Sequence, residues 1–192
     1  MIDALLRRPH GAAEAAADVV RAAAPVSVLV AAFTFGWVEV AIMMLLFLGA
    51  LIARAATLPP LVDALSNAVL LAAAWFAVVD LYSSIEWIDL ATHFAVGGVL
   101  AALARVLLER WDAAGLAPAL GRPSVASVVA GALVGACLAL GLSVVWEFLE
   151  WWGHTYIDDG VNVGYVDTLG DLAAGGLGGL LAGALQALGR SR

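Results

Sequence analysis

From Ser124 to Trp146, more than twenty positions, the chain carries no charged residue. At about 1.5 Å per residue, such a stretch crosses the roughly 30 Å apolar core of a bilayer as one helix. In lipid the backbone amides must be paired within the segment, which dictates a helix. The same reading holds elsewhere. Val26 to Ala53 is apolar except for Glu39. Leu61 to Val79 is entered by Asp63 and left by Asp80. Trp87 to Leu108 ends in Glu109-Arg110, and Tyr165 to Leu188 precedes Arg190 and Arg192. The 192 residues are 64% hydrophobic and 13% charged, about half the charge share of a soluble domain. The fold class is therefore all-α, a polytopic transmembrane helix bundle of five or six spans.

Span count turns on the block from Val26 to Ala53. As a single helix it would be about 42 Å long. Either it is one tilted helix with Glu39 at mid-membrane, or it is two shorter helices turning near Phe35-Gly36-Trp37. Arg54, then Arg105, Arg110 and Arg122, then Arg190 and Arg192 fall in alternate connections, and the positive-inside rule makes that side cytoplasmic. A hairpin in the first block adds Arg7, Arg8 and Arg21 to the same side, so six spans are preferred. Residues 1–25 then form an N-terminal cytoplasmic or interfacial segment, with Ala12 to Ala24 suited to a surface helix. Residues 26–189 form a single transmembrane helical domain. The apolar run after residue 25 is too long for the h-region of a cleavable signal.

Nine arginines and no lysines stand against sixteen acids, for a net charge of −7. No basic patch exists, which excludes nucleic acid as a partner. The single cysteine, Cys137, can form no intrachain disulfide and reads as a small core residue. Tryptophans near span ends read as an interfacial belt. Gly131 with Gly135, and Gly175 with Gly179 and Gly183, are spaced to let helices approach closely, bringing the last two spans together.

Into this apolar chain are set Glu86, Asp89 and His93, then Glu147, Glu150 and His154, each trio at i, i+3 and i+7, followed by Asp167 and Asp171 at i and i+4. Each set shares one face of a helix. Carboxylates within a membrane cost roughly 2.5–3.5 kcal/mol each by insertion scales, so they face the bundle interior and find partners. Helix rise matches them in layers: His93 with Glu147, Asp89 with Glu150, and Glu86 with His154, with Asp167 outermost and Asp171 further in. The three helices would form a funnel open to the non-cytoplasmic face. His93, Glu147, Asp167 and Asp171 are the candidate metal ligands. Asp89 and Glu150 are candidate general bases that can also ligate. Such a donor set suits Zn, Mn or Fe, and in its oxygen-rich form Mg.

The ordered pieces Asp89-x-x-x-His93-Phe94, Trp146-Glu147-Phe148-Leu149-Glu150-Trp151-Trp152 and Asp167-Thr168-x-x-Asp171-Leu172 resemble the YjdF-like integral membrane proteins and, more distantly, the VanZ-like group. The resemblance covers roughly residues 37–185. It extends to Trp37-x-Glu39, which resembles the start of the family's second span and supports six spans. The connection from Trp152 to Asp167, with His154-Thr155-Tyr156 and Asp158-Asp159-Gly160, departs from the pattern, so His154 is set apart from the six-residue site. The resemblance implies a multi-pass protein of the bacterial inner membrane and no particular reaction.

Three readings of the cluster follow. A divalent cation held there could activate water against a lipid-linked, small-molecule or envelope substrate. A chain of Asp, Glu and His could carry protons or cations in a small transporter. The acids could also simply lock the bundle by pairing with one another. Membrane lipid is the one partner common to all three.

Overall fold

The computed structural model describes residues 5–111, 124–161 and 163–189, apart from the side chain of Glu86. Arg122, Arg190 and Arg192, used above for sidedness, and the Glu86 carboxylate of the outermost layer lie outside the described residues. Every long element is an α-helix: α1 (Ala12–Thr34), α2 (Trp37–Ala55), α3 (Pro60–Val78), the single turn α4 (Leu81–Ser84), α5 (Glu86–Arg110), α6 (Val125–Tyr156) and α7 (Tyr165–Gly189). Six of them are long and apolar enough to cross a membrane, and no strand occurs among the described residues. The chain is a six-span helical membrane protein in architecture. It divides into two compact units, Met1–Ile85 and Glu86–Arg192.

In the first unit, α1, α2 and α3 pack on one another. The break between α1 and α2 comes at Phe35-Gly36, where both residues are extended, so the first apolar block is a hairpin. Glu39 sits in the first turn of α2, with its carboxylate folded back against Gly36. A negative charge there complements the unpaired N–H groups and dipole of the helix start. Pro59 and Pro60 begin α3, where a missing N–H costs nothing. The core is Ala24, Ala31, Met43, Leu46, Ala50, Ala74 and Val78.

The stretch from Ala12 to Ala24, expected as a surface helix leading into the membrane, is helical and continuous with the apolar run after it, as the first half of α1. Ala17, Ala24, Ser27 and Ala31 form its buried face, and residue 25 falls inside the helix, at Pro25. Asp18 and Arg21 read in sequence as solvent charges, yet both are only partly exposed and pair with buried residues of other helices. Arg21 pairs with Asp18 and with Asp63 of α3, and Arg54 of α2 lies 3.0 Å from Asp18. Charges paired in this way can lie inside an apolar bundle.

Two other expectations change. Cys137 is exposed on the outside of α6, because the buried face of that helix is reserved for smaller residues. Trp37, Trp87, Trp151 and Trp152 are exposed as a belt requires. Trp75 instead turns inward, donating from Nε1 to Ser27 Oγ at 3.0 Å and meeting Phe35 edge-on at 6.3 Å.

Candidate functional site

The second unit is built from α5, α6 and α7, and its geometry comes from four-residue ladders. On α7 the ladder reads Asp167, Asp171, Gly175, Gly179, Gly183, Ala187. On α5 it reads Asp89, His93, Gly97, Ala101, Arg105. On α6 it reads Gly131, Gly135, Ala139, Ser143, Glu147. Residues four apart share a helix face. Each ladder therefore has a stretch of small residues that ends, at one end of the unit, in carboxylates or histidine.

The small residues set how closely the helices approach. A Cβ at Gly97 would lie 2.6 Å from the Gly175 carbonyl oxygen, and one at Gly98 would lie 3.1 Å from that of Gly178. On the other side of α7, a Cβ at Gly131 would lie 2.8 Å from the Gly183 carbonyl, and Gly135 packs against Gly179 and Gly183. The pairings run parallel between α5 and α7 and antiparallel between α6 and α7. All three ladders thus deliver their ionisable ends to the same place. Contact through glycine is the means by which apolar helices associate tightly in lipid.

At that end two groups of donor atoms form, and they share His93. Asp89, His93 and Asp171 make one; His93, Glu147 and Glu150 make the other. Within each group one atom per residue lies within 4.8 Å of the rest. His93 Nε2 is 3.6 Å from Asp89 Oδ1 and 3.9 Å from Asp171 Oδ1. Those spacings are too long for direct hydrogen bonds. They match donors around a single ion, since ligands about 2.1 Å from a metal stand about 3.0–4.2 Å from each other.

Burial raises the stakes. Asp171 is only 2% exposed. Arg7, Arg21 and Arg54 pair within the first unit, and Arg105 donates from Nε to Glu109 at 2.9 Å at the far end of α5. Glu147 Oε1 is buried with no hydrogen-bond partner, which is costly for a carboxylate oxygen. Glu150 is served by the Trp146 indole one turn before it. The donor chemistry, mixed carboxylate and imidazole with an orphaned oxygen among them, fits a divalent cation.

The six expected residues are not placed alike. Asp89, His93, Glu147, Glu150 and Asp171 converge. Asp167 stands near enough to Asp89 and Asp171 for their charges to interact, yet it belongs to neither donor group. The layer of His93 with Glu147 is present, and Asp171 joins it. His154 is turned to the following connection, its Nδ1 lying 2.7 Å from the Val161 carbonyl oxygen. Ser143 joins the site without having stood out in the sequence, whereas Trp146 already stands in the Trp146-Glu147 motif. Ser143, buried, presents its hydroxyl to Gly175 directly beneath the cluster, and Trp146 supports Glu150. The signal for Ser143 was available, because it continues the ladder from Gly131 to Glu147.

A protein-family model described as "Predicted membrane protein (DUF2238)" matches residues 15–192. No curated protein and no solved structure matches the chain.

Proposed function

Because the chain belongs to DUF2238, the YjdF-like family of predicted membrane proteins, we propose a function carried by its membrane-embedded cluster: binding a divalent cation and using it on a lipid-linked or envelope substrate. The observation that carries this reading is the pair of donor groups sharing His93, with the buried Glu147 Oε1 left unpartnered among them. His93, Glu147 and Asp171 would be the deep ligands. Asp89 and Glu150 would complete the set or take a proton from the attacking group, and Asp167 would hold the outer layer. Zn, Mn, Fe or Mg are the ions such donors suit. A bound divalent cation would supply Lewis acidity toward a carbonyl or phosphoryl oxygen and toward water.

The seam beneath the cluster favours a closed-ended site over a pathway. Below His93 and Ser143 the helices meet through Gly97, Gly175, Gly135 and Gly179, backbone against backbone, which leaves no room for a row of ion sites. The long donor spacings tell against a bundle locked by direct pairing of the acids. In the membrane, the cluster end of this unit would face away from the cytoplasm, since Arg105 and Arg110 stand at the opposite end of α5. The bacterial inner membrane is the setting the family resemblance implies.

The test is pulsed electron paramagnetic resonance of the chelator-stripped, purified protein loaded with Mn²⁺. Nitrogen coupling to the manganese that disappears in His93→Ala is the expected result. Manganese bound without nitrogen coupling, or bound equally well in Glu147→Gln and His93→Ala, would contradict the reading. Reconstitution with phospholipid or phosphoester substrates then asks whether turnover follows the metal.

A further inference from the structure

The ladder on the inner face of α6 changes character at Ser143. Gly131, Gly135 and Ala139 supply only small apolar contact, and Ser143 adds a hydroxyl at the next step, about 6 Å below Glu147. Ser143 is 8% exposed. Its Oγ lies 2.5 Å from where a Cβ of Gly175 would stand, so the hydroxyl occupies the room that this glycine leaves on α7. A helical serine or threonine commonly donates to the carbonyl four residues earlier. Thr34 does so to Val30 at 2.6 Å, and Thr92 to Ile88 at 2.7 Å. Ser143 makes no such bond, and its side chain has no hydrogen bond to any described residue.

Helix direction decides which residue of the site this donor can serve. Side chains lean toward the N-terminus of their own helix and cover the turn before them. α5 and α7 run away from the cluster end, so Asp89, His93 and Asp171 lean outward. α6 runs toward that end, so Glu147 and Glu150 lean back into the bundle. For Glu150 the preceding turn carries Trp146, whose indole serves its carboxylate. For Glu147 the preceding turn carries Ser143. Glu147 Oε1 is buried with no hydrogen-bond partner. An unused acceptor and an unused donor therefore stand on adjacent turns of one helix face, on residues whose Cβ atoms are about 5–6 Å apart. Side-chain rotation alone joins them.

We propose that Ser143 is a positioning residue of the site, its hydroxyl donating to the Glu147 carboxylate and fixing it for the cation. The assignment rests on the cation reading of the cluster. Each carboxylate oxygen has two lone pairs, so Glu147 can accept from Ser143 and still ligate. Carboxylates that ligate metals are themselves hydrogen-bonded, and loss of such a partner weakens metal binding about 10- to 100-fold. Ser143 and Trp146 then play the same part, each four residues before the carboxylate it holds.

The experiment uses the full-length protein purified in detergent, stripped with chelator and titrated with Mn²⁺, free ion being read by electron paramagnetic resonance. Ser143→Ala is expected to weaken binding about tenfold or more, with the nitrogen coupling from His93 retained. Carbon-13-labelled glutamate then identifies the ligating carboxylates in infrared difference spectra between loaded and stripped protein. One glutamate carboxylate band is expected to move in Ser143→Ala, which a loss of packing alone would not cause. If Ser143→Ala fails to fold, Ser143→Cys, a weaker donor, takes its place, with the same band moving and a smaller loss of affinity. An unmoved band or wild-type affinity in the folded variant overturns the assignment and leaves the cation reading standing. Absence of saturable Mn²⁺ binding by the wild type overturns that reading, and the assignment with it.

Discussion

His93 Nε2 on α5 faces Asp171 Oδ1 on α7 across 3.9 Å. One turn further in, Gly97 and Gly175, each four residues on, bring the same two helices into backbone contact. The polar pair is thus positioned by the glycine pair below it. Widening the lower contact by one methyl group must move the upper residues apart.

Substitution along that seam is expected to be costly in proportion to the space available. Gly97→Ala places a Cβ 2.6 Å from the Gly175 carbonyl oxygen, so it should destabilise by about 1–3 kcal/mol as an overpacked contact does. Gly141→Ala, on the same bundle but with open space around its Cβ position, should be neutral or stabilising by about 0.5–1 kcal/mol through helix propensity. Thermal unfolding of the two variants in detergent measures the contrast.

A second expectation concerns sign. Without a cation, the carboxylates of Asp89, Glu147, Glu150 and Asp171 repel one another at close range. Glu147→Gln should therefore raise the stability of the chelator-treated protein, by about 1 kcal/mol. The same substitution should abolish the stabilisation that added Mn²⁺ or Zn²⁺ gives the wild type through binding to the folded state. Were the acids merely locking the bundle, Glu147→Gln would lower stability with or without metal. Unfolding curves with chelator and with metal separate the two.

His154 should behave as part of the connection and not of the site. His154→Ala removes the contact with the Val161 carbonyl and should cost about 1 kcal/mol, with metal binding unchanged. Parallel unfolding and metal-binding curves check both halves.

In the first unit, replacing buried Asp63 by Ala (Asp63→Ala) would leave the partly buried Arg21 with Asp18 alone and deprive Asn67 of its carboxylate partner. Removing one member of a buried ion pair costs about 3–5 kcal/mol, so this variant should be among the least stable. Fluorescence-detected size exclusion after heating would register it.

Much of this was legible in the chain itself. Pro59-Pro60 and Phe35-Gly36 punctuate the apolar runs where the helices do end, because proline and extended backbone stop helices regardless of tertiary context. The convergence of His93 with Glu147 followed from helix rise alone. The start of α1 was not legible. Asp18 and Arg21 resemble surface charges in sequence, and only the distant, buried Arg54 and Asp63 give them partners inside the unit. The same limit applied to the acidic residues. Spacing along one helix placed Asp167 beside Asp171 on one face, but inter-helix distance decided that Asp171 joins the donor atoms of α5 and Asp167 does not. Cys137 was misread because, in lipid, the outside of a helix is as apolar as its inside, so composition does not tell the two faces apart.

The most direct measurement is the metal content of the protein purified without chelator, by inductively coupled plasma mass spectrometry, for the wild type, His93→Ala and Glu147→Ala. A cation held by the shared His93 groups predicts about one divalent ion per chain in the wild type and a large loss in both variants at unchanged oligomeric profile. No stoichiometric metal in the wild type, after reloading as well as on isolation, or the same content in all three proteins, would contradict it.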